Sequence, residues 1–402
     1  MKIYFITSKL NFRTAGGSIE EFDVMIKELT RLGNEVTAVT MFSRDNDIPD
    51  PLPYPIIEER ITSSRLIPIQ WQCLRILRKY EKQADFFHID GHLFMYAGGL
   101  YRCLGGKVPV SAYFNRELSV WSDTVSTLLH TIRVSFFTSM KKSIRRLIEK
   151  YFLMPLTNGI DIILVTNPVL LRAYEAFGLN KKSPRLILGD PLYLKKKMLE
   201  NNITEESYRL RNKRNGPVVL FYSSRMAPGK GFDLLVSAFS KLKDKSAYRL
   251  ILGGTGPEEL QIKAMIERFN LSPYVEMPGW VSKEQLYGFY KKADIFIQAR
   301  WRVELTSISL LYAMAFGIPS ILPKGGGLEW DAKDSALHFK DMDADDLAKQ
   351  IERLGSNPDL REQLSRACYA RLSEDEMNPE KQVALWHNLM QATLKRTHTV
   401  AK

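Results

Sequence analysis

Between positions 218 and 323 the chain alternates short runs of β-branched and aromatic residues with segments of helical spacing. "VVLFYSS" (218–224) precedes a helix near 232–243, "YRLILGG" (248–254) a helix near 258–270, and "VEMPG" (275–279) a helix near 283–292. "DIFIQA" (294–299), the apolar segment "ELTSISLLYAMAFGIP" (304–319) and "PSILP" (319–323) continue the order. Strands separated by helices and short connections pair in parallel, with helices covering both faces of the sheet.

The first half obeys the same rule. "KIYFIT" (2–7) leads through the loop "KLNFRTAGGS" into a helix with Ile19, Phe22, Ile26 and Leu29 at helical spacing; Gly33 ends it and "EVTAVT" (35–40) follows. Further strands are expected at "DFFHID" (85–90), "VPVSAYF" (108–114) and "DIILVT" (161–166). The polar stretch "KKKMLENNITEESYRLRNKRNGP" (195–217) reads as a linker between the halves. The expected class is α/β: two doubly wound parallel-sheet domains facing each other across a cleft at the carboxyl ends of their strands.

At 402 residues, 45% of them apolar, the chain is long enough for two cores. Three scattered cysteines, Cys73, Cys103 and Cys368, fit neither a disulfide framework nor a zinc site and suit a reducing compartment. "MKIYFITSKL" reads as a first strand rather than a signal peptide, and no run is long and apolar enough for a membrane span, so the expected location is the cytoplasm. A formal charge of +12 favours anionic partners: nucleic acid, an acidic membrane surface or phosphorylated small molecules.

Several loops could carry chemistry. "SSRMAPGKGFD" sets Arg225 and Lys230 between a strand and a helix, where two cations and free amides can meet an anion; a solvated turn is the alternative. It lacks the spacing of a Walker A loop. "LGGTGPEE" places Gly253, Gly254 and Gly256 after a strand, suiting either close approach of backbone to a ligand or a tight turn, and Gly16 with Gly17 in the first loop reads the same way. In the apolar segment, Glu304, Thr306 and Ser307 are expected in the first exposed turn of a helix, able to receive ligand hydroxyls or a phosphate, or simply to favour the helix dipole. His88, Asp90 and His92 lie at a strand end in "FFHIDGHLF".

Taken together, these segments resemble the GT-B glycosyltransferases, in particular glycosyltransferase family 4, over nearly the whole chain. The resemblance rests on "FYSSRMAPGKGFDLLVSAF", "RLILGGTGPEEL", "VEMPGWVSKEQLYGFYKKADIFI", "PKGGGLEW" with Gly325, Gly326 and Glu329, and "AGGSIEEF". It implies two Rossmann-like domains: 1–198 on the acceptor side, 199–376 for the nucleotide-sugar, and a C-terminal helix, 377–402, returning to the first domain. It further implies that Arg225 and Lys230 neutralise the donor diphosphate and that Glu304 meets the sugar hydroxyls. Gly16, Gly17, Gly253, Gly256, Trp280, Val281, Thr306, Ser307, Ser309 and Tyr312 would complete the donor site. Where the family carries a second Glu for the ribose this chain has Tyr312, and Asn115, in "VPVSAYFNREL", stands where the family often has a His.

What the resemblance implies for activity is sugar transfer with retention of configuration, from a UDP- or GDP-linked sugar to a glycan or lipid-linked acceptor, without metal or other cofactor. His88, Asp90, His92 and Asn115 are the candidates on the acceptor or sugar side. A non-catalytic partner subunit and a sugar epimerase of the same fold are the alternatives.

Two basic segments point to an anionic membrane surface, and so to a peripheral location at the inner face of the cell membrane. In one, Phe137, Met140, Ile144, Leu147, Ile148 and Tyr151 oppose Lys142, Arg145, Arg146 and Glu149. In the other, Trp71, Leu74 and Leu77 alternate with Arg75, Arg78, Lys79 and Lys82. An ordinary amphipathic helix with its apolar side in the core is the competing reading of each. Nucleic acid is disfavoured, since no recognised binding module is present.

Overall fold

A computed structural model describes residues 1–12, 18–48, 52–91, 94–115, 143–212, 215–299 and 306–400. Among them the chain forms two compact units, 1–192 with 375–400, and 193–374.

The first unit carries strands β1 (Lys2–Thr7), β2 (Glu35–Thr40), β3 (Ile56–Glu58), β4 (Phe86–Asp90), β5 (Val110–Phe114), β6 (Ile162–Val165) and β7 (Arg185–Ile187). Its helices are α1 (Ser18–Arg31), α2 (Leu66–Tyr80), α3 (Tyr96–Cys103) and α4 (Pro168–Phe177). The sheet is parallel, ordered β3-β2-β1-β4-β5-β6-β7. The helical spacing read in α1 is its buried face: Ile19, Phe22, Ile26 and Leu29 pack on Phe5 in the sheet. Asn167 caps α4 by accepting from the Leu170 amide at 2.8 Å, with Pro168 in the first turn and Gly178 closing it at φ 112°.

In the second unit are α5 (Leu194–Glu200), α6 (Glu205–Asn212), β8 (Val218–Ser223), α7 (Phe232–Ser240), β9 (Tyr248–Gly253), α8 (Glu259–Arg268), β10 (Val275–Gly279) and α9 (Lys283–Lys292). There follow β11 (Ile295–Ile297), α10 (Ile308–Ala315), β12 (Ser320–Pro323), α11 (Gly326–Ala332), β13 (Ala336–Phe339), α12 (Ala344–Gly355) and α13 (Pro358–Leu372). This parallel sheet runs β10-β9-β8-β11-β12-β13. The chain then returns to the first unit as α14 (Pro379–Val400), which packs on α1 and buries Val383, Trp386 and Met390 in that unit's core.

The expected linker is not one. Residues 195–217 contain most of α5 and all of α6, both held on the second unit, so the boundary falls at Leu192 rather than 198. A few anchors are enough to fix so polar a stretch. Tyr208 is fully buried and its hydroxyl donates to the Asp294 carbonyl at 3.0 Å, while Arg361 donates to the Asn212 side chain at 3.0 Å.

Each sheet reverses direction once, between β1 and β4 in the first unit and between β8 and β11 in the second. At such a switch point neighbouring connections leave for opposite faces, and a crevice opens at the carboxyl ends of the strands.

Candidate functional site

The switch point of the second unit holds the Arg225 loop. Leaving β8, the chain buries Met226 and turns at Gly229 and Gly231, both with left-handed backbone (φ 82° and 74°). Tyr222, its ring tilted against Phe232 with centroids 4.7 Å apart, donates to the Lys230 carbonyl at 2.8 Å, and the Lys230 amide donates to the Ala227 carbonyl at 3.1 Å. Arg225 is thereby exposed and Lys230 half-buried on a loop fixed at both ends, directly before the amides that open α7.

A second loop supports the first. The Met226 amide donates to the Thr255 carbonyl at 2.9 Å and the Glu258 amide to the Met226 carbonyl at 3.1 Å. A Cβ on Gly254 (φ 116°) would stand 1.9 Å from the Ser224 carbonyl oxygen, and one on Gly256 (φ 156°) 2.3 Å from that of Met226. These two glycines therefore serve loop-on-loop contact. Gly253 leaves room for Val281, whose Cγ2 would lie 3.1 Å from a Cβ there, and Trp280 next to it is exposed. Behind the loops lie two buried carboxylates that sequence reasoning missed, Asp233 and Glu258; burial first, then Asp233, raises the Glu258 pKa.

The helix expected to open at Glu304 begins at Ile308 instead, and Glu304 lies outside the described residues. Ser307 is extended and its amide donates to the Asp331 carboxylate of α11 at 3.2 Å, which holds the residue before the helix. The first helical bond runs from the Leu311 amide to Ser307 at 3.0 Å, so the amides at 308–310 precede the ladder and can serve an anion. Thr306, Ser307 and Ser309 are half-buried at this end. No local signal marked Asp331, because its partner is far away in the sequence.

Tyr312 is buried in an aromatic cluster, with ring centroids 5.7 Å from Tyr287 and 6.5 Å from Tyr290. Tyr290 donates to the Ser309 carbonyl at 2.9 Å, tying the cluster to the start of α10. Glu329 turns back to accept from the Gly325 amide at 2.5 Å.

In the first unit the switch point gathers Thr7, Asp90 and Asn115. Thr7 pairs with Asp90 in register; its hydroxyl lies 3.5 Å from Asp90 Oδ2, and Asn115 Nδ2 donates to Oδ1 at 3.1 Å. Asn115 Oδ1 is buried and has no hydrogen-bond partner among the described residues. His88 is not part of this group. It is fully buried, with Nδ1 2.8 Å from Ser111 Oγ and its ring 4.2 Å from Phe5 and 4.5 Å from Trp386. Desolvation lowers its pKa to about 3, so it is a neutral core residue, in a strand buried on both faces where Phe86, Phe87 and Ile89 are as inaccessible as His88. His92, Gly16 and Gly17 lie outside the described residues.

The basic segments divide. In α2, Leu74 and Leu77 are core, while Arg78 pairs with Glu81 at 3.0 Å and Lys79 with Glu59 at 2.5 Å; Trp71 and Ile67 are exposed. In the other segment Phe137, Met140 and Lys142 lie outside the described residues. From 143 the chain is helical, widening to a π-helix at Glu149–Leu153, and its apolar stripe is not turned into the core, as the competing reading of this segment had it. Glu149 is buried and accepts from the Tyr96 hydroxyl at 2.8 Å, while Ile144, Leu147 and Tyr151 face solvent.

Residues 204–371 match the family described as glycosyl transferases group 1. The chain is 28% identical over 247 residues to mannosylfructose-phosphate synthase of Agrobacterium fabrum, a match covering 58% of this chain and 52% of that protein. It thus spans about half the length of that relative. It is 23% identical over 354 residues to alpha-monoglucosyldiacylglycerol synthase of Acholeplasma laidlawii, covering 85% and 86%. The solved structure of Anabaena HepE in complex with UDP superposes with a TM-score of 0.70 at 14% identity, covering 98% of this chain and 100% of that one.

Proposed function

We propose that this chain, which has the GT-B fold and at residues 204–371 belongs to the group 1 glycosyl transferases, moves a sugar from a UDP- or GDP-linked donor to a glycan or lipid-linked acceptor. The observation that carries the proposal is the Arg225–Lys230 loop at the switch point of the second unit's sheet, backed by the glycine turn at 253–256. Two cations and the amides of two helix starts suit a diphosphate. Exposed Trp280 offers a stacking surface for a base.

In the reading we favour, configuration is retained and no metal is required. The bond from the anomeric carbon to the β-phosphate oxygen breaks first. The acceptor oxygen then bonds to that carbon on the same face, and its proton passes to the leaving phosphate. Arg225 and Lys230 stabilise the charge that builds on the diphosphate, and Glu304 holds the sugar hydroxyls. Asp90 and Asn115, joined by a hydrogen bond at the end of the first unit's sheet, are the residues we assign to acceptor hydroxyls. A net charge of +12 and a relative of 86% matched length that is a glucosyldiacylglycerol synthase support an acceptor at a membrane. The work would be done at the cytoplasmic face by a peripherally bound protein; among the described residues no helix is long and apolar enough to cross a membrane.

A thermal-shift panel of UDP-, GDP- and ADP-linked sugars tests the donor. A donor at a hundred times its Kd stabilises by about 2.7 kcal/mol, an easily measured shift. Indifference to the whole panel would falsify the reading.

One observation favours a second reading, a partner subunit that has lost the chemistry. Tyr312 is packed among aromatics where the resembling family carries a carboxylate. On that reading Lys230→Ala leaves transfer in cell extracts unchanged.

A further inference from the structure

We infer that the membrane contact is an apolar wedge, Ile144, Leu147, Tyr151 and Phe152, which inserts between lipids while Arg146 and Lys150 meet anionic headgroups. The inference rests on the peripheral-membrane part of the reading above and names the residues that perform it. These side chains are 49%, 55%, 61% and 71% exposed, a run of large apolar groups in water. Ile144, Leu147 and Tyr151 recur at three- and four-residue intervals and so form one stripe, and the π-helix at Glu149–Leu153 leaves Phe152 exposed beside Tyr151.

The stripe faces outward because the other side of the segment is anchored. Glu149 is buried with Tyr96 as its donor at 2.8 Å, and Leu153 and Met154 are buried behind it. The following turn, Met154–Gly159, lies backbone-to-backbone on α3: a Cβ on Gly99 would stand 1.8 Å from the Leu156 carbonyl oxygen, and one on Gly159 2.6 Å from that of Gly99. Rotating the stripe inward would carry the Glu149 carboxylate out of its pocket and open this seat. An amphipathic segment held with its apolar side in water fits a surface that another phase covers.

Charge decides which phase. Arg146 and Lys150 are exposed at the edge of the stripe, with the Lys150 ammonium 5.6 Å from the Tyr151 ring centroid, in a chain of net charge +12. Tyrosine with its hydroxyl at headgroup level, phenylalanine below it and cations around them match the layering of an anionic bilayer surface. A like-charged second copy is a poorer fit.

The test is sedimentation of the purified full chain with vesicles of phosphatidylcholine, alone or mixed with phosphatidylglycerol, at low and high salt. Wild type should sediment with the mixed vesicles and keep part of its binding in high salt, because insertion is not screened. Tyr151→Ser/Phe152→Ser should bind at least about tenfold more weakly at both salts, and Arg146→Gln/Lys150→Gln should lose affinity chiefly at low salt. Circular dichroism and an unchanged thermal shift with UDP verify the fold of each variant. A wedge variant that sediments like wild type overturns the wedge and leaves the membrane reading standing; wild type that ignores every vesicle overturns both. Concentration-dependent dimerisation of wild type, abolished in the wedge variant, would assign the surface to a second copy and overturn the inference.

Discussion

Substituting Gly254 with alanine probes the lacing of the two donor-side loops without touching a charge. The new Cβ would sit 1.9 Å from the Ser224 carbonyl oxygen, against an ordinary carbon–oxygen approach of about 3.3 Å, so the loops must separate by about 1.4 Å. The backbone at φ 116° adds strain of about 1–3 kcal/mol for a residue with a side chain. Because Ser224 immediately precedes Arg225, the displacement passes into the cation that is to meet the diphosphate. A misplacement of about 1 Å costs on the order of a hundredfold in turnover, and UDP affinity should fall by about tenfold or more. Titration calorimetry measures the affinity directly, with UDP as the ligand or with GDP in its place if the donor panel selects GDP. Two other glycines separate the causes. Gly216→Ala, at φ 124° with nothing within 4 Å, should lose stability without losing UDP, while Gly288→Ala, inside α9 and equally open, should gain about 0.5–1 kcal/mol. Gly254→Ala that folds and binds UDP as tightly as wild type would refute the argument that loop contact positions Arg225.

Lys230→Ala should cut transfer by about a hundredfold to a thousandfold, since it removes a preorganised cation from the leaving diphosphate, while the melting profile stays that of wild type; Arg225→Ala, on an exposed side chain, should behave likewise. His88, with a folded pKa of about 3 against an ordinary value of 6.5, binds fewer protons folded than unfolded, so its contribution is complete above about pH 6.5 and lost as pH falls towards 3. Between pH 7.5 and 5, wild type should lose about 2 kcal/mol more than His88→Asn in denaturant unfolding; equal losses would contradict the burial argument. Tyr312→Phe should keep the fold and UDP binding within a few-fold, because packing dominates at this position, whereas Tyr312→Glu should destabilise by about 2 kcal/mol or more through a carboxylate buried among rings. Thermal unfolding of both variants in parallel distinguishes these outcomes.

Strand positions, the parallel pairing they require and the loops that carry Arg225, Lys230 and the glycines are legible in the amino-acid order alone. They depend on period and turn chemistry within a few residues, so "VVLFYSS" is already a buried strand and Gly33 already ends α1 at φ 83°. What depends on distant partners is not legible. Asp331 holds the Ser307 amide just ahead of α10, which opens at Ile308; Tyr208 and Asn212 turn an apparent linker into part of a domain. Strand alternation allows His88 to face either way, and only Phe5, Ser111 and Trp386 close over it. The segment at 143–153 is the sharpest case. Its amphipathic period is written in the chain, but which side faces water was decided by Tyr96 receiving Glu149 and by two glycines seating the next turn on α3. Local order determines periodicity, whereas orientation and burial depend on surfaces that meet only once the chain has folded.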